Sequence, residues 1–260
     1  MNQPGSSFGR RTPFGLAPSS PERQSSRPVE IGAASIAEEL RIPYICNVFS
    51  STSLDDVSRI APKTVKWMEI YPFSDRAIME YIVQQVEQAS FQGIILNIND
   101  KLNDSKFQDI KELKNTCAPP LLAKLVRNFK SWSNPRLVPL DAESAKPYLD
   151  WMNSITKLPI ILKGKFSNTE MKLLYGRGVF GICQVFTQEL WQTLSAVELL
   201  HPTIVSGDVI FEEDVNKVLE AGADFVIIER PIQWGFQVDG EAGIHHIIQL
   251  YEKNRKPRHR

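Results

Sequence analysis

The sequence predicts an α/β protein that folds as a single-domain (β/α)8 TIM barrel. Eight short apolar runs alternate with amphipathic stretches along its 260 residues. The runs are continuous rather than alternating in polarity, which is typical of strands covered on both faces in a parallel sheet. Eight strand–helix units in about 250 residues match the size of a closed barrel. A doubly wound open sheet is the alternative, because strand–helix alternation alone does not require closure.

Each apolar run is predicted to be one strand. In chain order the runs are Pro13–Ala17, Pro43–Phe49, Val65–Tyr71, Gly93–Ile98, Pro159–Leu162, Gly181–Phe186, Thr203–Ser206 and Phe225–Ile228.

The amphipathic stretches between the strands are predicted to be helices. They are Pro28–Leu40, Ser53–Ile60, Asp75–Ser90, Pro147–Ile155, Thr169–Tyr175, Glu189–Leu200, Glu212–Glu220 and Gly243–Glu252. Ser53 is the predicted N-cap of its helix, because acids follow it in the first turn, where the helix dipole favours them. The helix over 75–90 repeats apolar residues at helical spacing, namely Ile78, Met79, Ile82, Val83 and Val86.

Composition excludes several classes of function. The 30 Lys+Arg residues balance 30 Asp+Glu residues, whereas a generic nucleic-acid binder shows a basic excess. Cys46, Cys117 and Cys183 are too far apart to indicate a disulfide framework or a zinc site, so no metal is predicted. No apolar run is long enough to span a membrane, and residues 1–11 lack the apolar core of a secretory signal.

The chain divides into one barrel and two tails. Residues 1–11 are predicted to be a flexible polar tail, residues 12–252 the barrel, and residues 253–260 a basic tail without a peroxisomal Ser-Lys-Leu ending. Residues 99–146 exceed an ordinary strand–helix loop and include a predicted short helix at Leu121–Phe129. We expect this insertion to cover the barrel mouth, the end of the barrel where the strands finish.

Four segments carry a resemblance to a known family. They are PFGLAP at Pro13–Pro18, SITKLPIILKG at Ser154–Gly164, AGAD at Ala221–Asp224 with the later Arg230-Pro231, and DGEAG at Asp239–Gly243. A weaker fifth, EIYPFSDR at Glu69–Arg76, is similar to a Gln-Leu-Tyr-x-x-x-Asp-Arg stretch. Together they resemble the FMN-dependent 2-hydroxy-acid oxidase/dehydrogenase family, the glycolate-oxidase-like proteins. The chain looks like a truncated and divergent member, shorter than the family at both ends.

The resemblance implies a fold, a cofactor and a reaction. It implies the (β/α)8 barrel, FMN as cofactor, and hydride transfer from a small 2-hydroxy acid to flavin. It also implies a cytoplasmic or peroxisomal protein that can form homo-oligomers. The balanced charge and the lack of a long apolar run predict that neither nucleic acid nor a membrane is a partner.

The flavin side of the site is partly retained. By resemblance, Lys163 is the lysine that faces the flavin ring, and the backbone of Ala17, Pro18 and Ser19 meets the flavin. Asn97 replaces a threonine and can still hydrogen-bond, whereas Glu69 replaces a glutamine and loses the amide donor.

The substrate side is largely lost. The family places a base histidine and a carboxylate-binding arginine in a Ser-Asn-His-Gly-x-Arg-Gln-Leu-Asp segment after strand six. Residues 183–191 here read CQVFTQELW, with neither histidine nor arginine. The second arginine, expected after strand four, is also missing, and Lys101 cannot supply a bidentate fork. Tyr71 matches the substrate-contacting tyrosine, although it could equally be an aromatic residue that closes strand three.

The phosphate end is the most altered. The family uses a Gly-Gly turn and an arginine after strand seven and a Gly-Arg pair after strand eight. Here Gly207 and Arg230 remain, while Asp208 and Glu229 bring in carboxylates. A carboxylate about 4 Å from a phosphate charge costs about 4 kcal/mol at an effective dielectric constant of 20. We therefore expect Arg230 to pair with Glu229 or another neighbouring acid.

Three functions stay open on the sequence alone. The first is a catalytically impaired family member that serves as an interaction module. The second is a working flavoenzyme with rearranged chemistry that relies on Tyr71, Lys163 and Arg230. The third is a barrel that binds another phosphate or carboxylate ligand.

Overall fold

Eight parallel strands close into a barrel in the computed structural model of the chain. The structure describes residues 12–18, 27–98, 121, 137–177, 179–187, 190, 194 and 202–253. The strands are β1 Phe14–Leu16, β2 Tyr44–Asn47, β3 Lys66–Ile70, β4 Gly93–Asn97, β5 Ile160–Gly164, β6 Gly181–Val185, β7 Thr203–Ser206 and β8 Phe225–Ile228. Each strand pairs with the next, and β8 pairs with β1 at Phe14 opposite Val226. The predicted barrel is confirmed, and the open-sheet alternative is wrong.

The helices surround the barrel on its outer face. The described helices are α1 Arg27–Leu40, α2 Leu54–Ile60, α3 Arg76–Gln88, α4 Ala145–Ile155, α5 Asn168–Tyr175, α6 Glu212–Glu220 and α7 Arg230–Lys253. The predicted N-cap of α2 is confirmed, since the Ser53 side chain accepts a hydrogen bond from the Asp56 N–H. The predicted apolar face of α3 is confirmed too, because all five of its residues are buried.

The last helix is longer than predicted. It begins at Arg230, whereas the sequence pattern predicted a helix from Gly243 only. The helical pattern is interrupted by Asp239 and Gly240, whose φ values of −152° and +55° are not helical and kink the chain. The two halves then pack closely, because a Cβ atom on Gly243 would overlap the carbonyl oxygen of Gly235.

Two predicted helices lie mostly outside the described residues. Of the helix predicted at Leu121–Phe129, only Leu121 is described, and it is helical and buried. Of the helix predicted at Glu189–Leu200, Leu190 and Leu194 are described as helical. Val138 N–H donates to the Pro72 carbonyl at 2.7 Å, which ties the end of the 99–146 insertion to the segment after β3. Coverage of the barrel mouth by that insertion stays a prediction.

The barrel interior is filled by apolar side chains at its base and centre. Side chains alternate between the two faces of a strand, so every second residue points inward. The inward cluster is Ala17, Ile45, Trp67, Ile95, Ile161, Cys183, Ile204, Phe225 and Ile227. The other face of the strands packs against the helices in a second, larger core. Among the described residues, no helix is both long and apolar enough to cross a membrane.

Candidate functional site

A layer of polar side chains lies directly above this apolar interior. Two positions beyond the last inward apolar residue, six of the eight strands carry a polar residue at or just past their carboxyl end. We call these six residues the polar layer: Asn47, Glu69, Asn97, Lys163, Ser206 and Glu229. The two-residue period places them on the inner face, at the carboxyl ends of the strands. Catalytic groups of (β/α)8 barrels are found at this end.

Lys163 is held by two carboxylates inside the barrel. Its Nζ lies 3.1 Å from Oε2 of Glu69 on β3 and 3.1 Å from Oε1 of the same carboxylate. Nζ also lies 3.4 Å from Oε1 of Glu229, which follows β8. The Lys163 and Glu69 side chains are 8% and 5% exposed, so this ion pair is shielded from water. Isolated buried charge is costly, and mutual pairing makes this arrangement possible.

The pKa values of the ion-paired groups follow from burial and from each other. Burial by itself lowers the pKa of Lys163, but the carboxylates of Glu229 and Glu69 outweigh it and hold that pKa well above its ordinary value. Burial raises the pKa of Glu229 above 4.5, and the adjacent Lys163 ammonium opposes the rise without cancelling it. Lys163 is therefore a protonated ammonium at neutral pH.

Asn97 and Tyr71 complete the surroundings of the Glu69 carboxylate. Asn97 Nδ2 donates to Glu69 Oε1 at 3.2 Å, and the Tyr71 hydroxyl donates to the same oxygen at 3.4 Å. Tyr71 is buried, with its ring centroid 5.5 Å from that of Phe49. Tyr71 therefore packs at the end of β3, as the alternative considered from the sequence expected, and directs its hydroxyl to Glu69 of the polar layer. Contact between Tyr71 and a substrate stays a prediction.

Among the described residues, two amide atoms of the polar layer have no hydrogen-bond partner. They are Nδ2 of Asn47 and Oδ1 of Asn97, and both residues are buried. The other Asn47 atom, Oδ1, accepts from the Phe49 N–H at 2.9 Å. Unsatisfied buried polar atoms are uncommon in proteins, and those at the mouth of a barrel are places where a ligand can bind.

Arg230 is paired with an acid, as the sequence predicted, and that acid is Asp208. The Arg230 guanidinium contacts the Asp208 carboxylate directly, while Glu229 is taken by Lys163. Asp208 follows Gly207, whose φ of +102° is favourable only for glycine. The predicted phosphate end therefore carries an ion pair made by the protein itself.

The remaining predicted site residues lie at the end of β1. Ala17 and Pro18 are buried, and the Pro18 carbonyl accepts a hydrogen bond from the Gln233 side chain. Ser19, also predicted to meet the cofactor, lies outside the described residues. So does Lys101, which was considered after β4.

The hydrogen bonds and ion pairs within the polar layer were not predicted from the sequence. Glu229 was considered only as a neighbour of Arg230, and Asn47 and Ser206 were not predicted as site residues. The signal was available, because Phe225, Ile227 and Glu229 continue the inward two-residue period past the end of β8. Ser206 also has a partner, since its hydroxyl lies 3.3 Å from the Cys183 thiol. Burial raises the pKa of this thiol to about 12, so it is not a nucleophile at neutral pH.

The proteins that this chain is similar to are named as oxidases of 2-hydroxy acids or of mandelate. The bovine (Bos taurus) 2-hydroxyacid oxidase 2 is 26% identical over 92% of this chain and 71% of its own length. The Dictyostelium discoideum 2-hydroxyacid oxidase is 28% identical over 94% of this chain and 68% of its own length. A crystal structure of mandelate oxidase with (S)-4-hydroxymandelic acid superposes with a TM-score of 0.70 at 20% identity, covering 93% of this chain and 73% of that one. This last likeness is one of fold.

The family model described as FMN-dependent dehydrogenase matches residues 6–184 and 187–256, which is nearly the whole chain. FMN, the cofactor implied by the resemblance, is accordingly the cofactor of the matching family. The chain belongs to the FMN-dependent dehydrogenase family, the family of FMN-dependent 2-hydroxy-acid oxidases and dehydrogenases that the sequence resembles.

Proposed function

We propose that this chain is a family member that does not oxidise 2-hydroxy acids and that its barrel serves as a binding or interaction module. The observation that carries the proposal is the pairing of Lys163 with both Glu69 and Glu229. By resemblance this lysine is the group that stabilises the reduced flavin. Here its charge is already compensated by two carboxylates of the protein.

The charges of the site do not fit FMN. The described site contains two cations, Lys163 and Arg230, and three carboxylates, Glu69, Asp208 and Glu229. With all five groups ionised the sum is one negative charge. FMN brings a phosphate dianion, and its ring gains negative charge on reduction. Each carboxylate close to these charges weakens binding, by an amount that depends on distance and on the local dielectric. We therefore expect weak affinity for FMN.

The base histidine of the family is also absent from the segment after β6 where the resemblance places it, because residues 183–191 read CQVFTQELW. Of the four histidines, His245 and His246 belong to the described part of the chain and lie on α7, whereas His201 and His259 lie outside the described residues. His245 lies on α7, with its Nε2 3.2 Å from Glu39 of α1 on the outside of the barrel. A positioned base typically contributes about 10²- to 10⁴-fold to the rate. Its loss alone would reduce turnover to a residual level.

A working flavoenzyme is the second candidate, supported by Lys163 and Tyr71 at the inner ends of their strands. We consider it less well supported because the Tyr71 hydroxyl donates to Glu69 and the Lys163 ammonium is paired with carboxylates. A barrel for another anionic ligand ranks lower for the same electrostatic reason. Homo-oligomerisation and a cytoplasmic or peroxisomal location stay predictions from the family.

Anaerobic reduction of flavin tests the proposal. The protein is mixed with excess FMN, and glycolate, lactate or a long-chain 2-hydroxy acid is then added while the visible flavin absorption is followed. We expect no bleaching beyond that of FMN without protein. Bleaching that scales with protein concentration would contradict the proposal and favour the working flavoenzyme.

A further inference from the structure

The polar layer contains two carboxylates, Glu69 and Glu229, and one cation, Lys163, so its net charge is negative when all three groups are ionised. Lysine has three N–H donors, and Lys163 makes three contacts with carboxylate oxygens, two to Glu69 and one to Glu229. In the part of the chain that the structure describes, Lys163 donates hydrogen bonds to Glu69 and to Glu229, so its positive charge is paired with two carboxylates. A ligand entering the mouth therefore does not meet a free ammonium group.

Asn97 contributes a buried acceptor. Its Oδ1 has no hydrogen-bond partner among the residues that the structure describes, and the residue is 3% exposed. The orientation of the amide is determined, because its Nδ2 donates to Glu69 Oε1 at 3.2 Å. Turning the amide over would bring its oxygen against a carboxylate oxygen, which is repulsive. Asn97 therefore keeps its amide oxygen available as an acceptor, besides the second N–H of its Nδ2 group.

Glu229 contributes a second acceptor, and it can be reached from solvent. Its side chain is 16% exposed, against 8% for Lys163, and it holds Lys163 through Oε1 at 3.4 Å. A carboxylate can accept about four hydrogen bonds. The contacts with Lys163 and with the Gly207 backbone N–H leave part of that capacity unused.

From these observations we propose that the barrel mouth binds an organic cation with a primary ammonium group, which donates to Glu229 and Asn97. The inference rests on the proposed function, since the mouth must be free of flavin. An added ammonium would balance the two carboxylates, Glu69 and Glu229, with two cations. A charge that is paired and hydrogen-bonded is far less costly to bury than an unpaired one.

A metal ion is a poorer occupant than an ammonium group. Calcium needs about six to eight oxygen ligands, and magnesium needs octahedral geometry. Among the described residues no group of three or more His, Cys, Asp or Glu side chains is arranged to hold a metal. An ammonium requires two or three acceptors, which Glu229 and Asn97 supply.

The test uses three molecules with the same four-carbon chain: 1,4-diaminobutane, 1,4-butanediol and succinate. At neutral pH the diamine carries two positive charges, the diol carries none, and succinate carries two negative charges. Binding to the full-length protein is measured by titration calorimetry and by the shift in melting temperature. We expect the diamine to bind and to raise the melting temperature, and the diol and the diacid to do neither.

Variants locate the binding. We expect Glu229→Gln to weaken diamine binding at least about tenfold, and Asn97→Ala to weaken it as well, with folding checked by circular dichroism. Glu80→Gln on the exposed face of α3 removes the same charge and should leave binding unchanged. Two independent variants keep the test valid if one of them does not fold.

The remaining outcomes are decisive. The inference is overturned if the diamine does not bind. It is also overturned if the diamine binds the wild type and Glu229→Gln with equal affinity, because the diamine would then lie elsewhere on the protein. Preferential binding of succinate overturns it and favours an anionic ligand. The proposed function fails separately, through reduction of flavin by a 2-hydroxy acid, so the two failures are distinguishable.

Discussion

The Lys163 Nζ lies 3.1 Å from Glu69 Oε2 across the barrel interior, although 94 positions separate the two residues in the chain. Glu69 is the second-last residue of β3 and Lys163 the second-last residue of β5, and Asn97 of the intervening strand β4 donates a hydrogen bond to the same carboxylate. The inner ends of three neighbouring strands are thus joined by charged and polar side chains. Glu229 extends the connection to the end of β8.

Replacing Lys163 with methionine is expected to destabilise the protein strongly. The change leaves the carboxylates of Glu69 and Glu229 buried without their cation, and breaking a buried pair in this way costs about 3–5 kcal/mol. The free energy of unfolding, measured by denaturant titration, checks the prediction. Lys146→Met is the control, because its pair with Asp150 is more than half exposed and is worth under about 1 kcal/mol. Equal losses for the two variants would show that the interior pair is not special.

The stability contribution of Glu229 is expected to fall as pH rises. Its pKa in the folded protein is raised above 4.5, so the folded state binds the proton more tightly than the unfolded chain does. The stability from this difference is complete below pH 4.5 and is lost as pH rises through the folded pKa. The free energies of unfolding of the wild type and of Glu229→Gln are compared from about pH 4 to about pH 8. As pH rises, the wild type should lose stability relative to the variant. If the stability of the wild type minus that of the variant stays constant or grows with pH, the pKa of Glu229 is not raised.

Gly243→Ala is expected to destabilise the last helix. A Cβ atom there would overlap the Gly235 carbonyl where the two halves of α7 meet, and overpacking of this kind costs about 1–3 kcal/mol. Gly176→Ala is the matched control, since φ at Gly176 is −64° and the nearest atom to an added Cβ is 3.5 Å away. The melting temperature should fall for the first variant and stay the same or rise for the second. No change in Gly243→Ala would mean that the two halves are not in close contact.

Removing the three carboxylates of the site should increase affinity for FMN. We expect the triple variant Glu69→Gln, Asp208→Gly, Glu229→Gly to bind FMN at least about tenfold more tightly than the wild type, which corresponds to about 1.4 kcal/mol. The physical reason is that Lys163 and Arg230 would no longer be neutralised. Quenching of flavin fluorescence gives the dissociation constants.

A surface variant with the same change in net charge controls for long-range electrostatics. Glu80→Gln, Glu143→Gln and Glu213→Gln all alter exposed carboxylates. This variant should bind FMN as weakly as the wild type does. If it binds as tightly as the interior variant, the local pairs do not explain the affinity.

The barrel was predictable from the sequence because its signals are local. Buried strands are continuous apolar runs, and the N-cap at Ser53 and the apolar face of α3 are read within a single turn or a few turns. The first half of α7 was missed because Asp239 and Gly240 interrupt the helical period. The position of Lys163 on the inner face was expected from resemblance.

The partners of Lys163 were not predictable in the same way. They come from β3 and from the end of β8, and only closure of the barrel brings these positions together. The sequence indicated that Glu69 and Glu229 replace uncharged residues of the family, but it did not indicate that both pair with the same lysine. Arg230 was predicted to pair with Glu229, which precedes it in the sequence, or with another neighbouring acid, and Asp208 after β7 is the acid that it contacts.

We propose that ion pairs made by the protein have replaced the contacts of FMN at the barrel mouth. The absorbance spectrum of the purified protein, taken after incubation with excess FMN and gel filtration, tests this replacement. We expect the protein to elute without flavin absorption in the visible range. Elution with one equivalent of FMN per chain would contradict it.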